Sequence, residues 1–458
     1  MSASESAQTL AFVLLVVFLA YVTAILVPFL RRRPSAEGDP GTLDWHVFVA
    51  CRDEVVVIGD TLARLRRDFP AAHVWVVDDA STDGTGDVVR AVSDPMVHLV
   101  ERRLPDARTG KGAALNAAYH ALGGWLPAGS AHDRVVVAVV DADGRLAANA
   151  LAQAAGPTAF GDPRVGAAQA AVWMSNRTAL RRAGDGDDDE ADAGTAVPLS
   201  RWGRWLVRMQ DIEFRTAIAA MQCLRGHTLS VGLGGNGQFT RLSTLDRIGA
   251  ANGTPWHGSL LEDYELGVHV MLAGFRNVYL HDTHVEQEGL PSVRRLLTQR
   301  TRWCQGGMQC AKYLPRIFAS RHVTHAGAIE ASYFLIQPFT QLAGVLLWPA
   351  VLVSMLAAGT VSAGSAAAWA AENWWLLPLV VVTGIAPFAM WPLIYRRRAE
   401  PGTKIGTALL WALGYWLYMY QSYICVPRAF VRLVRGRAGW AKTRRNAESG
   451  SLLLATEV

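Results

Sequence analysis

The sequence is poor in cysteine and in charged residues. Its five cysteines include no CxxC pair and form no even-numbered set, which excludes a disulfide framework and predicts free thiols in a reducing compartment. They are Cys51, Cys223, Cys304, Cys310 and Cys425. Charged residues make up only 18% of the 458 residues. The polar part carries no compact basic and aromatic stripe, which argues against a nucleic-acid partner.

Apolar residues, by contrast, make up 51% of the chain and are concentrated at its two ends. The block from Thr9 to Leu30 is nearly uncharged and exceeds the roughly 20 residues needed to cross a bilayer. Arg31-Arg32-Arg33 follows at once, so the positive-inside rule places the next domain in the cytoplasm. No small-residue cleavage site marks a removed signal peptide. Residues 1–33 are therefore predicted to be a transmembrane anchor.

Three further apolar blocks, 333–358, 374–394 and 407–426, are each close to the length of a membrane span. Arginines follow the second block, so the first is predicted to run outward and the second to return. If the third also crossed, the basic tail at 431–458 would end outside. Either the third block is interfacial or re-entrant, or a further crossing lies within 328–358. We favour a cytoplasmic tail.

These blocks predict a multi-pass protein of the cell membrane, with a transmembrane and interfacial region at 328–430. Interfacial helices are also expected at 291–325. The formal net charge of +5 fits a contact between the flanking arginines and anionic membrane lipid.

Between the two apolar ends, short β-rich runs alternate with helical patterns. The runs are 46–50, 73–77, 97–100 and 134–140. This alternation predicts a cytoplasmic α/β domain at 44–290, Rossmann-like, with a mostly parallel sheet. In such sheets ligands collect at the carboxyl ends of the strands.

Two segments within this domain are unusual. Residues 183–198 are densely acidic and do not match a calcium-hand pattern, which indicates a flexible, solvated insertion. Residues 200–224 have apolar side chains at helical spacing with arginines between them. This pattern predicts a helix that lies in the membrane interface or packs against the core of the domain.

Several polar groups follow predicted strands or begin predicted helices. Asp141-Ala142-Asp143 follows an apolar run, and its two carboxylates could hold Mg²⁺ or Mn²⁺ against a diphosphate. His281 and His284 are candidates for a further ligand, although structural histidines are commoner. Asp78-Asp79 ends another run and either caps a helix or accepts the imide N–H of a uracil ring.

Three more positions are candidates for chemistry. Lys111 lies between two glycines and could reach a phosphate or a nucleobase. Glu262-Asp263 precedes a helical run, where it either favours the helix dipole or supplies a general base. The stretch from Gln299 to Trp303 combines an arginine fork with a large aromatic ring at a membrane edge. That stretch suits either a diphosphate and sugar site or a membrane-anchoring helix.

Taken together, these motifs resemble the signature of the membrane-bound family 2 glycosyltransferases. The motifs are Asp79, Asp141-x-Asp143, Glu262-Asp263 and Gln299-x-x-Arg302-Trp303, in this order. That family includes cellulose, chitin, hyaluronan and poly-N-acetylglucosamine synthases, and the resemblance covers about residues 44–310. It implies a GT-A nucleotide-diphosphosugar fold and inverting transfer from a UDP-sugar, with Mg²⁺ or Mn²⁺ as cofactor.

The resemblance also implies a role for individual residues. Nucleotide-sugar binding is implied for Asp79, Asp78, Arg52, Glu54, Lys111, Asp141, Arg302, Lys442 and Arg445. Relatives commonly have Asn-Glu where this chain has Asp53-Glu54. Lys442 and Arg445 belong to the segment 440–445, which resembles a gating segment that closes over the nucleotide.

Catalytic, metal and acceptor roles are implied for the remaining motif residues. Asp263 would be the base, with Glu262 beside it, and Asp143 would bind the metal together with Asp141. Acceptor contacts are implied for Trp303, Gln299, Gly235 and Asn236.

Three functions fit this sequence. The leading hypothesis is a processive synthase that extends and exports a β-linked polysaccharide, with a possible export partner or homo-oligomer. The alternative is transfer of one or a few sugars to a membrane lipid such as ceramide or diacylglycerol. The third is a transporter or scaffold with an inactive transferase domain. It is disfavoured because no expected carboxylate is missing and the predicted spans hold almost no ionisable residues.

Overall fold

The computed structural model of the protein describes residues 3–177, 199–357, 363–372 and 374–437. The acidic segment at 183–198 and the segment with Lys442 and Arg445 lie outside the described residues. Within them, an N-terminal helix precedes an α/β domain, and a set of helices follows it.

Eight strands form one sheet in the order β3-β2-β1-β4-β7-β6-β8-β5. They are β1 (Asp44–Cys51), β2 (His73–Asp79), β3 (Val97–Arg102), β4 (Val135–Val139), β5 (Arg145–Leu146), β6 (Val165–Met174), β7 (Gln238–Arg241) and β8 (Arg276–Gln287). Strands β1 to β4 are parallel to one another, as the sequence predicts.

The other half of the sheet departs from the prediction. Strand β7 lies antiparallel between β4 and β6, and β5 is antiparallel to β8, while β6 and β8 are parallel. The sheet is therefore mixed. The physical reason is that an intervening helix does not by itself fix strand direction: β7 follows α6 and α7, yet it enters the sheet between β4 and β6 from the opposite end.

Helices cover both faces of the sheet and continue beyond it. They are α1 (Ala3–Arg31), α2 (Val55–Asp68), α3 (Thr85–Arg90), α4 (Lys111–Trp125), α5 (Ala150–Ala154), α6 (Arg201–Glu213), α7 (Ala219–Thr228), α8 (Leu242–Asn252), α9 (Glu262–Leu272), α10 (Val293–Cys310), α11 (Leu314–Ala319), α12 (His325–Ala357), α13 (Ala363–Glu372), α14 (Leu377–Val380), α15 (Ala386–Arg398), α16 (Ile405–Met419) and α17 (Ser422–Val434). Alternate side chains of β1 enter two cores: Val47 and Val49 pack with Ile58 of α2, and Phe48 packs with Leu115 of α4.

The apolar blocks form helices of unequal length. Among the described residues one helical stretch, Phe12–Arg31, is long and apolar enough to cross a membrane. The third C-terminal block is broken near Gln421 into α16 and α17. Helix α16 has 15 residues, which gives about 22 Å, less than the roughly 30 Å hydrocarbon core of a bilayer. Helix α17 packs along α10 instead.

The segment 200–224, predicted to lie in the membrane interface or to pack against the core of the domain, forms two helices. Helices α6 and α7 are joined by a π-helical turn at Phe214–Ile218. Met209 and Ile212 of α6 are fully buried in a cluster that includes Phe29 of α1 and Tyr395 of α15. These apolar side chains therefore face protein, because the N-terminal and C-terminal helices come together over them.

A buried ion pair joins three of these helices. Arg225 of α7 lies 2.7 Å from Glu330 of α12, with side chains 6% and 4% exposed. Tyr21 of α1 donates a hydrogen bond to one oxygen of Glu330, and Ser230 donates to the other. Because both Glu330 oxygens and the Nε atom of Arg225 have hydrogen-bond partners inside the protein, the network fixes how the helices pack.

We expect Glu330→Gln to lower the thermal stability of the detergent-solubilised protein. The change leaves the Arg225 guanidinium buried without a counter-charge, and breaking a buried pair in this way costs about 3–5 kcal/mol. Differential scanning fluorimetry measures it. Asp87→Asn, which breaks an exposed pair with Arg90, is the control and should change the Tm little. Equal shifts in the two variants would contradict the prediction.

Candidate active site

A cavity of about 530 Å³ opens at the carboxyl ends of β1, β2 and β4 and continues to the C-terminal helices. Twelve of the predicted site residues line it: Arg52, Glu54, Asp79, Lys111, Asp141, Gly235, Asn236, Glu262, Asp263, Gln299, Arg302 and Trp303. Asp78 and Asp143 are not among its described lining residues. The fold therefore assembles into one cavity motifs that are more than 200 positions apart in the sequence.

At one end of the cavity, Asp79 is held by basic groups. It is only 4% exposed, forms an ion pair with Arg102, and accepts a hydrogen bond from the backbone N–H of Arg108 at 3.0 Å. Asp78 instead accepts the backbone N–H of Ser81 at 2.9 Å, in the segment that leads into α3. This contact favours a local structural role for Asp78 over a nucleotide contact. Arg102 was not predicted, since only the pairing of β2 with β3 places it opposite Asp79.

Lys111 lies at the centre of the cavity. Its Nζ atom is 2.5 Å from Asp141 Oδ1 and 2.5 Å from the carbonyl oxygen of Gly235. Burial lowers the pKa of Lys111, but the carboxylates of Asp141, Glu262 and Asp263 together raise it by more, so the net shift is upward. The lysine therefore stays charged and links Asp141, which follows β4, to the glycine loop at 234–237.

The Asp-x-Asp motif follows β4, as predicted. Asp143 Oδ2 accepts the backbone N–H of Glu288 at 3.2 Å, and Asn236 Oδ1 accepts that of Asp141 at 3.1 Å. Two carboxylates at a strand end offer the oxygen donors that Mg²⁺ and Mn²⁺ prefer, so the residues present fit such an ion.

The two histidines considered as further ligands lie elsewhere. His284 stacks on Trp173 with ring centroids 3.5 Å apart, and burial lowers its pKa to about 4. His281 Nε2 contacts the carbonyl oxygen of Arg33 at 2.9 Å. Neither is among the described residues that line the cavity. The structure gives both a packing role.

The glycine loop at 234–237 is held by a buried glutamine that was not predicted. Gln169 Oε1 accepts the N–H of Gly234 at 2.7 Å, and its Nε2 donates to the carbonyl of Asn236 at 2.8 Å. The side chain of Asn236 donates to Gln287 Oε1 at 3.1 Å. Both polar atoms of the Asn236 side chain therefore contact protein, and its amide helps to hold the loop.

Glu262 and Asp263 begin α9 at the wall of the cavity. Burial raises the pKa of Glu262 to about 7, and the charge of Asp263 adds to the shift. Burial also raises the pKa of Asp263, against the opposing effects of Lys111 and Arg302. Neighbouring buried carboxylates resist ionising together, so this pair is suited to holding and releasing a proton near neutral pH.

The start of α9 is fixed from behind by a second polar cluster. Glu265 accepts hydrogen bonds from the backbone N–H of Ser259 at 3.0 Å and from the Tyr313 hydroxyl at 2.7 Å. His257 and His269 lie beside it, and His269 Nε2 is 3.2 Å from the same hydroxyl. These contacts hold the loop before α9 and so orient Asp263.

The Gln299-to-Trp303 stretch lies on α10, with Gln299, Arg302 and Trp303 facing the cavity. The guanidinium of Arg300 lies 4.4 Å from the centroid of the Trp303 ring. The ring of Phe214, in the π-helical turn, meets the same indole edge-on at 6.1 Å. The tryptophan is thus held by protein groups on one face and at its edge.

The sequence pattern of the family described as "Glycosyltransferase like family 2" matches residues 43–306, which is more than half of the chain. The chain belongs to this family. The match spans every described motif residue of the candidate site.

Relatives of this family 2 glycosyltransferase include lipid-modifying enzymes. A β-monoglucosyldiacylglycerol synthase of Synechocystis sp. is 26% identical over 439 residues, which cover 92% of this chain and 79% of the relative. The enzyme of the same name from Nostoc sp. is 28% identical over 296 residues, 63% of this chain and 54% of the relative. These relatives are not the polysaccharide synthases named in the resemblance.

A solved structure shares the fold of this glycosyltransferase. The mannosyltransferase PcManGT of Pyrobaculum calidifontis, determined in complex with GDP-Man and Mn²⁺, is 17% identical and aligns with a TM-score of 0.58. The alignment covers 95% of this chain and 99% of that one. The expected GT-A-like fold is therefore confirmed, with a mixed rather than a mostly parallel sheet.

Gly235→Ala should lower the turnover of glycosyl transfer roughly tenfold, because a 1 Å misplacement of reacting groups can cost about 100-fold and the displacement expected here is smaller. A Cβ atom there would lie 3.1 Å from both Asp263 Oδ2 and Lys111 Nζ, so both charged groups must shift. Steady-state kinetics measure the effect. Gly258→Ala, where a Cβ meets nothing within 4 Å, is the matched control. Wild-type turnover of Gly235→Ala would show that the close approach is unimportant.

Proposed function

We propose that this protein transfers a sugar from a UDP-sugar to the hydroxyl group of a membrane lipid, with inversion at the anomeric carbon. The observation that carries the proposal is the continuity of the cavity. It runs from Asp79 past Asp263 to Phe334 and Pro338 of α12 and Met419 of α16. A lipid that enters between these helices would meet the acidic pair directly.

The acceptor end of the cavity has the composition that a lipid requires. Apolar side chains of α7, α12 and α17 line it, among them Met221, Phe334 and Val426, together with the amides of Gln337 and Gln341. Such a wall suits acyl chains joined to a hydrogen-bonding backbone such as glycerol. The names of the Synechocystis and Nostoc relatives support the same class of acceptor.

Processive synthesis of an exported polysaccharide is the second candidate. A polymer needs a path across the membrane, and one helix among the described residues is long and apolar enough to span it. The family membership leaves this function open, but the relatives and the helix count favour the lipid acceptor. Product size separates the two.

The donor end is proposed to bind UDP. Asp79 Oδ1 is already engaged by Arg102 and Arg108, which leaves Oδ2 to accept the single imide N–H of uracil. Arg52 and Glu54 border this part of the cavity. Asp141 and Asp143 would hold Mg²⁺ or Mn²⁺, whose charge would neutralise the leaving diphosphate.

The proposed chemistry divides the work between two sides of the sugar. Asp263 takes the proton of the acceptor hydroxyl as the hydroxyl oxygen bonds to the anomeric carbon. The bond from that carbon to the diphosphate breaks at the same time. Lys111 and Arg302 stabilise the negative charge of the departing diphosphate. Trp303 stacks against the acceptor, and Glu262 raises the proton affinity of Asp263.

Contacts at the helix ends support a membrane orientation with the catalytic domain on the cytoplasmic side. Arg398, at the end of α15, donates a hydrogen bond to the carbonyl of Phe29 at 2.8 Å, next to the arginines that follow α1. Gln305 of α10 donates to the carbonyl of Arg437 at 2.7 Å. The chain thus enters its basic C-terminal segment beside α10, the helix that carries Arg302 and Trp303. A cytoplasmic tail requires such a position.

A direct test supplies purified protein with a panel of nucleotide sugars, Mg²⁺ or Mn²⁺, and either diacylglycerol or ceramide in mixed micelles or soluble glycan primers. We expect UDP release and a glycolipid with one or a few sugars, resolved by mass spectrometry. Asp263→Asn should still bind UDP but lose turnover. The control Asp60→Asn changes an exposed carboxylate and should keep both UDP binding and turnover. A long polymer, or consumption of GDP- or TDP-sugars alone, would overturn the proposal.

The pH dependence of turnover follows from the raised carboxyl pKa values. Because the base acts only when deprotonated, activity should fall as the pH drops through the raised pKa of Asp263, which lies next to Glu262, whose own pKa is about 7. Glu262→Gln removes a neighbouring negative charge, so the acid limb of kcat/KM should move to lower pH. An unmoved or raised limb in that variant would rule out the proposed coupling.

A further inference from the structure

Three side chains from separate elements meet beside Trp303. Arg300 Nη2 of α10 lies 2.6 Å from Glu213 Oε2, at the end of α6. The Tyr418 hydroxyl of α16 donates to the same carboxylate oxygen at 2.7 Å and lies 3.2 Å from Arg300 Nη2. We call Glu213, Arg300 and Tyr418 the clamp, because each member contacts the other two.

The clamp fixes the position of the indole ring. Since the Arg300 guanidinium covers one face of Trp303 at 4.4 Å, a ligand can stack only on the other face. The π-helical turn that follows Glu213 brings Phe214 against the edge of the ring. π-Helical turns are rare in proteins, and those that occur often lie at functional sites. Glu213, Phe214, Arg300 and Trp303 all line the cavity.

The charge of Arg300 is committed to this contact. The side chains of Arg300 and Glu213 are 11% and 13% exposed. Burial lowers the pKa of Arg300, but Glu213 together with Tyr418 and Tyr415 raises it by more, so the guanidinium stays charged. A bound carboxylate neutralises it locally, which separates its role from that of Arg302, two positions further along the same helix.

The third member of the clamp lies on a helix with an exposed apolar face. Leu409, Leu410, Leu413 and Leu417 of α16 are between 52% and 71% exposed. An apolar face of this kind on a protein with a membrane-spanning anchor suits contact with lipid. Tyr418 therefore connects a lipid-facing helix to the side chain that is proposed to stack on the acceptor.

We propose that the clamp positions Trp303 for the lipid acceptor, with Glu213 as the positioning residue that links α10 to α16. This inference rests on the proposed function and adds the residues that set acceptor recognition. Loss of one clamp hydrogen bond leaves the guanidinium free to turn away from the indole, so the acceptor binds less tightly. The donor end, formed by Asp79 and its neighbours, is unaffected because no clamp residue contacts it among the described hydrogen bonds and ion pairs.

The test compares Glu213→Gln and Tyr418→Phe with the wild type in mixed micelles containing diacylglycerol and a UDP-sugar. We expect the KM for the lipid to rise roughly 10- to 150-fold, the range for a lost hydrogen bond to a charged group. The KM for the UDP-sugar should stay within about twofold. The double variant should cost less than the sum of the two single variants, since both changes affect the same Glu213 carboxylate oxygen.

Tyr420→Phe is the matched control, because it removes a hydroxyl from the same end of α16 at a residue that is 47% exposed. It should leave both KM values unchanged. Parallel losses for donor and acceptor in the clamp variants would indicate a merely structural role and overturn the inference, as would an unchanged lipid KM. A wild-type enzyme that glycosylates no lipid would overturn the proposed function itself.

Discussion

The partial burial of two adjacent carboxylates is the constraint on which the site depends. Glu262 and Asp263 begin a helix inside a cavity, where their charges are expensive unless cations lie close by. Lys111 supplies one and is itself held between Asp141 and the carbonyl of Gly235. The acidic pair, the Asp141-Ala142-Asp143 segment and the glycine loop are thereby held together. A displacement of any one of them alters the proton affinity of the carboxylates.

The same logic extends from the catalytic domain to the helical region. Buried arginines that join the two regions are paired with carboxylates, as Arg225 is with Glu330 and Arg300 is with Glu213. Such pairs add specificity of packing more than stability, since desolvation offsets much of their attraction. Their effect here is to fix the apolar end of the cavity between α7, α12 and α17.

Much of the fold was accessible to sequence reasoning. The runs at 46–50, 73–77 and 97–100 fall within β1, β2 and β3, because continuous β-branched stretches bounded by polar residues have few other stable conformations. The antiparallel β7 was not predicted, since its four residues carry no pattern of their own. The break between α16 and α17 was also missed, because the apolar composition continues through Gln421. Arg102, Gln169 and Glu265 were missed for a different reason: each acts through a residue remote in sequence.

The sequence alone determined the family, the α/β domain and twelve residues that meet in one cavity, because these depend on local patterns and on motifs whose order is fixed along the chain. Only the tertiary structure decided that the Asp78 carboxylate accepts the backbone N–H of Ser81, that residues 201–213 pack between helices, and that the cavity continues to apolar helices. It also decided that Glu213 meets Arg300, 87 positions away. Such contacts follow from the packing of separate elements, which no local pattern encodes.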